Sequence, residues 1–187
     1  KETDRALLMA EQALALNREF NGPYAVTRTL GILASLRIER HEYAAARAAT
    51  KEALELGESV GDRQDMGFKL AVLGQIATVC GHYQEAGEWI ERALDLSREI
   101  HEPYAEMSAL RLLAGLRIAR GEPAEAVRFA GDAAALAVEH EADAWAATAR
   151  LIRADAYLAL GDLDAASEEY RLVQSAADGV KERDARL

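Results

Sequence analysis

Set against itself at a shift of 40 positions, the chain brings its own punctuation into register. Gly81, Gly121 and Gly161 align, with His41 in the corresponding earlier place. Ala46, Ala86, Ala126 and Ala166 follow five residues later, and Ala6 belongs to the same series. Ala13, Ala53, Ala93 and Ala133 continue the register, then Leu16, Leu56, Leu96 and Leu136. At a shift of 80, Pro23-Tyr24-Ala25 returns as Pro103-Tyr104-Ala105 and Leu36-Arg37-Ile38 as Leu116-Arg117-Ile118. A period in this range means a stack of like units, each too small to bury its own apolar face without a neighbour.

Within a unit the apolar spacing is helical, as in Ala86, Ile90, Ala93 and Leu94. The recurring glycines stand where a helix must stop, because glycine takes the left-handed turn conformation without penalty. Pro23, Pro103 and Pro123 suit first turns, and Asn21, Asp62 and Asp162 suit N-caps. The spacing predicts a leading helix near 2–19. First helices follow near 23–40, 63–80, 103–120 and 143–160, and second helices near 43–59, 83–99, 123–139 and 163–178. The expected fold class is all-α, a solenoid of antiparallel helix hairpins. One array over 1–187 would comprise a leading helix 1–20, repeats 21–60, 61–100, 101–140 and 141–180, and the start of a truncated unit at 181–187. Small residues at the recurring alanine places let helix axes approach closely.

The formal net charge of −10 lacks the basic face that nucleic acid or an anionic membrane surface requires. Cys80 is the sole cysteine, which excludes an internal disulfide and makes a cytoplasmic setting the default. No stretch is long and apolar enough to span a bilayer, and the chain opens Lys-Glu-Thr-Asp, like a piece of something longer.

The segment Leu73-Gly74, Gly81-His82-Tyr83, Ala86, Ile90, Ala93-Leu94 resembles the tetratricopeptide repeat family. Other units keep Tyr43, Ala46 and Ala53-Leu54, or Gly161, Ala166 and Tyr170. The unit is about six residues longer than the commonest length of that family, no proline follows the second helices, and the aromatic expected midway along the first helix survives only as Tyr157. The longer unit is similar to the arrays of large bacterial regulators, of peptide-sensing regulators and of kinesin light chains. The resemblance implies a right-handed superhelical solenoid whose first helices line a concave groove that binds a protein or peptide. Carried over by register, the groove-facing residues are Arg28, Ser35 and Ile38; Phe68, Gln75, Thr78 and Val79; Ser108, Arg111 and Ile118, with Ala119; and Asp155, with Thr148 and Leu158. Phe68 is either a partner anchor or a packing residue against the preceding unit. Arg37 and Arg117 either reach into the groove or lay their stems over it, and Trp89 and Trp145 read as packing between helices.

No Gly-rich phosphate loop is present, and His41, His82, His101 and His140 pair with no metal ligand at usable spacing. Glu85, Glu88, Glu91, Asp95 and Glu99 read as a solvated outer face. The expectation is therefore a protein-interaction scaffold without catalysis, cofactor or metal. The alternative is the sensor or oligomerisation arm of a larger bacterial signalling or transcription regulator. Oligomeric state is left open.

Overall fold

A computed structural model of the protein describes residues 2–20 and 22–184, with side chains as far as residue 178. These residues form nine α-helices and no strand: α1 (Glu2–Glu19), α2 (Pro23–Glu39), α3 (Tyr43–Val60), α4 (Arg63–Val79), α5 (Tyr83–Glu99), α6 (Pro103–Ala119), α7 (Pro123–Glu139), α8 (Asp143–Leu160) and α9 (Leu163–Asp184). The bounds of α1 to α8 agree with the sequence reading to within one residue. The last helix does not. α9 remains helical past residue 178 and through 181–184, where the period places a new unit, and no turn interrupts it. Lys181 stands at the turn position and brings no left-handed residue with it. Residues 185–187 and the cap expected at Asn21 lie outside the described residues.

The turns recur every 20 residues, twice as often as the glycines advertise. His41, Gly61, Gly81, His101, Gly121, Glu141 and Gly161 all have positive φ, between 54° and 79°. Each ends a helix in the left-handed conformation, so His101 and Glu141 do the work of glycine. The next amide closes the turn onto a carbonyl five residues back: Glu42 to Arg37, His82 to Ala77, Glu122 to Arg117 and Ala142 to Ala137, each at 2.8 Å. Proline opens α2, α6 and α7, where its missing N–H has no intrahelical partner to lose. The Asp62 and Asp162 carboxylates cap α4 and α9, accepting from the amides of Asp65 at 3.1 Å and Ala165 at 3.0 Å.

The contacts divide the chain into two compact units, residues 1–101 and 102–187. In the first, α1 to α5 pack in chain order, each on the next. The leading helix is part of the core, since Ala10 and Leu14 are buried with Leu30, Leu33, Ala49 and Ala53 of the α2/α3 hairpin. The stripe of small residues is closed, as Ala46, Ala53 and Ala86 are wholly buried. In the second unit α6 packs on α7 and α8, α7 on α8, and α8 on α9. Met107, Ala137 and Ala146 are buried together, with Trp145 packed against them.

The α8/α9 hairpin departs from its predecessors. Where α2, α4 and α6 bury Leu30, Leu70 and Leu110, and Leu33, Leu73 and Leu113, α8 carries Arg150 and Arg153. Arg153 is ion-paired to Glu169 of α9, which is buried although its register-mates Ala49, Trp89 and Phe129 carry no charge.

Candidate functional site

Two clefts lie between successive first helices, one in each unit. In the first unit α2 and α4 stand apart around a cavity of about 400 Å³, with Arg28, Ile32, Ser35, Phe68, Lys69 and Val72 on its walls. Helical spacing explains the grouping, since 28, 32 and 35 share one face of α2, and 68, 69 and 72 share one face of α4. Arg28 and Ser35 are exposed, and Phe68 keeps 38% of its surface accessible. Phe68 thus sits at the cleft between adjacent first helices and remains open to solvent. The Ser35 hydroxyl donates within its own helix to the Gly31 carbonyl at 3.1 Å.

The floor of this cleft holds a feature that the register reading missed. Lys69 is 8% exposed and donates to Asp65, one helical turn earlier, at 2.8 Å. Its register-mates Thr29, Ala109 and Ala149 are small. Room for the lysine comes from Gly31 on the facing helix, where an added Cβ would stand 2.9 Å from the Lys69 Nζ. A lysine among small residues, with a glycine 38 positions before it, was the available signal.

In the second unit α6 and α8 are in direct contact, and a smaller cavity of about 270 Å³ is lined by Arg111, Ala144, Trp145 and Thr148. Arg111 is half-buried, and burial pushes its pKa below the ordinary arginine value. Trp145 meets Tyr104 edge-on at 6.2 Å.

Of the register-predicted residues, the structure brings Arg28, Ser35 and Phe68 together, and places Arg111 with Thr148. Ile38, Gln75, Thr78 and Val79 lie outside the α2/α4 cavity, although Gln75 and Val79 are exposed. Ser108, Ile118 and Asp155 lie outside the α6/α8 cavity, and Asp155 accepts from the Tyr170 hydroxyl at 3.3 Å. Arg37 turns away from the α2/α4 cleft, donating to Glu11 of α1 and to the Ala45 carbonyl. Arg117 is held at the start of the next helix by Glu122 and Glu125. Glu85 is no solvated outer-face residue, because it pairs with Arg47 and accepts from the Trp89 indole at 3.1 Å. Among the described residues no three His, Cys, Asp or Glu side chains gather where a metal ion could be held. No helix among them is long and apolar enough to cross a membrane.

The tetratricopeptide repeat family model matches residues 147–178. None of the curated proteins matches the chain. Among solved structures, a Rap protein complexed with competence and sporulation factor superposes with a TM-score of 0.77 at 20% identity, over 81% of this chain and 43% of that one. The chain therefore spans less than half the length of that protein. A Podosopora anserina kinesin light chain with nearly identical tetratricopeptide-like repeats gives 0.75 at 16% identity, over 96% and 89%. Aspartyl phosphate phosphatase F from Bacillus subtilis gives 0.75 at 14% identity, over 95% and 56%. At these identities the likeness is one of fold. Residues 147–178 are a tetratricopeptide repeat by their own sequence, and the hairpins of this chain share their fold with those three proteins, the kinesin light chain among them having tetratricopeptide-like repeats.

Proposed function

We propose that the chain is a protein-interaction scaffold whose first-helix clefts receive a peptide or a segment of a partner protein, and that it is not itself an enzyme. The observation that carries the reading is the α2/α4 cleft. It combines an exposed aromatic, aliphatic walls and an exposed arginine with no catalytic constellation beside them. An accessible aromatic in a cavity is the usual form of a binding anchor. The lone cysteine and acidic charge suit the cytoplasm as its setting.

A second reading, the sensor or oligomerisation arm of a larger bacterial regulator, draws support from the likeness to the Rap protein. That protein's structure contains competence and sporulation factor, and this chain covers under half of its length. Both readings need an occupied first-helix face. Display of a random 12-residue peptide library against the whole chain tests this, with retained clones re-measured on Phe68→Ala and Arg28→Ala. Retention lowered by either change supports the cleft. Binding that ignores both Phe68 and Arg28, and ignores Arg111 as well, removes the first-helix faces from the assignment. A chain that retains no clone above background removes the scaffold reading.

A further inference from the structure

The two clefts occupy the same register 80 residues apart, so each is an internal control for the other. In α2/α4 the buried cation is Lys69, with its counter-charge built in as Asp65, while Arg28 stands exposed on the wall. In α6/α8 the cation has moved to the facing helix. Arg111 stands in the register of Gly31, and Ala149 stands in the register of Lys69. The acid has gone as well, since Trp145 occupies the register of Asp65. Of the half-buried arginines among the described residues, 37, 47, 117 and 153 are each ion-paired, while 111 and 150 are not. Arg111 makes no hydrogen bond or ion pair among the described residues.

Resting on the scaffold reading above, we propose that the α6/α8 cleft is a receptor for the side-chain carboxylate of an acidic residue within a partner peptide. Arg111 binds the carboxylate, and the Trp145 ring and Ala144 cover its methylene stem. A guanidinium offers five donors in a fixed fork, the geometry that suits a carboxylate, and a half-buried site strengthens each of those bonds. The cavity of about 270 Å³, smaller than the α2/α4 cleft, is of the scale of a side chain rather than of a folded domain. The net charge of −10 repels acidic peptides over most of the surface, so the case for this occupant rests on the local positive charge of Arg111 alone.

The experiment uses the whole chain carrying Trp89→Phe, so that Trp145 is the single tryptophan and its fluorescence reports the cleft. Blocked 12-residue peptides from the display screen are titrated against it, each paired with a version in which its acidic residue is replaced by the matching amide. The expected result is a loss of roughly 10- to 100-fold in affinity for the amide version. Arg111→Met should give a similar loss, and the two changes together should cost little more than either alone. Arg111→Met should leave Tm unchanged or raised, because an arginine that binds nothing inside the molecule contributes no internal ion pair. Three results overturn the proposal while leaving the scaffold reading in place: equal affinity for acid and amide peptides, losses that simply multiply, or a Tm lowered by Arg111→Met. The same peptides with a free C-terminus are titrated in parallel, and binding by those alone also overturns it. Failure of every peptide to bind removes the scaffold reading, and this proposal with it.

Discussion

Gly74→Ala is the substitution whose sign the structure predicts against the usual rule. In the middle of a helix, glycine to alanine ordinarily stabilises by about 0.5–1 kcal/mol, because alanine has less backbone freedom to lose. Gly74 lies in α4 directly over Ile90 of α5. An added Cβ would come inside 3.0 Å of the Ile90 Cγ1, within 3.2 Å of its Cδ1 and within 3.3 Å of the Ala86 carbonyl oxygen. Carbon atoms at their best separation stand about 3.5–4.0 Å apart. Ile90 is wholly buried, and its β-branched side chain has one strongly preferred rotamer in a helix, so it cannot swing aside. The Ala86 carbonyl is backbone, so α5 itself must move. Overpacking of this kind costs about 1–3 kcal/mol. Against the helix-propensity gain, the net is a loss of about 1–2 kcal/mol, or a Tm lower by roughly 2–8 °C. Gly115→Ala and Gly67→Ala are the controls, being in helices with nothing within 4 Å of an added Cβ, and each should raise Tm slightly. Ile90→Ala should cost about 1 kcal/mol less in the Gly74→Ala background than on its own, because the added methyl occupies part of the space the isoleucine leaves, as Ala114 and Ala130 do together in the next hairpin. The assay is urea and thermal unfolding followed by circular dichroism at 222 nm. If Gly74→Ala stabilises as much as Gly115→Ala does, or if the Gly74 and Ile90 effects merely add, the close approach described here is not what holds α4 to α5.

Two further outcomes follow from the same unfolding assay. Glu141→Gly should stabilise by about 0.5 kcal/mol, since left-handed strain of about 1–2 kcal/mol is relieved against the greater entropy loss of glycine, whereas Gly121→Ala at the equivalent turn should destabilise by about 1 kcal/mol. Glu169→Ala should cost about 3 kcal/mol by stranding the Arg153 charge, while Arg153→Leu with Glu169→Ala, which restores the Leu33 and Ala49 pattern of α2/α3, should be about neutral or stabilising. A double variant as unstable as the single one would count against the buried pair as the cause.

The period made the helices legible, because every element repeats the same apolar spacing and ends at the same interval. It missed two kinds of turn and core residue for the same reason. His101 and Glu141 hold backbone conformations that their side chains do not announce, so only the 40-residue glycines showed a turn that recurs every 20. Arg150 and Arg153 lie where the register demands leucine, and Arg153 is held by an ion pair to Glu169 of another helix. The clefts were half legible. Register identified the outward places Arg28, Ser35, Phe68 and Arg111, but which of them converge depends on how far apart neighbouring helices stand. Lys69 escaped because small residues fill its place in the other units, whereas Trp145, read as packing between helices, does pack there and also lines the α6/α8 cleft.

The exchange of Gly31 and Lys69 for Arg111 and Ala149 bears on how such arrays diverge. A positive charge has crossed from one helix to its neighbour while the stacking stripe stayed the same. Read column by column, an alignment of the repeats would score glycine against arginine and lysine against alanine as two unrelated changes. Taken as a couple spaced 38 residues apart, they are one substitution within a single cleft. On the binding role proposed for these clefts, such couples would carry specificity, and a comparison of repeats should score them jointly.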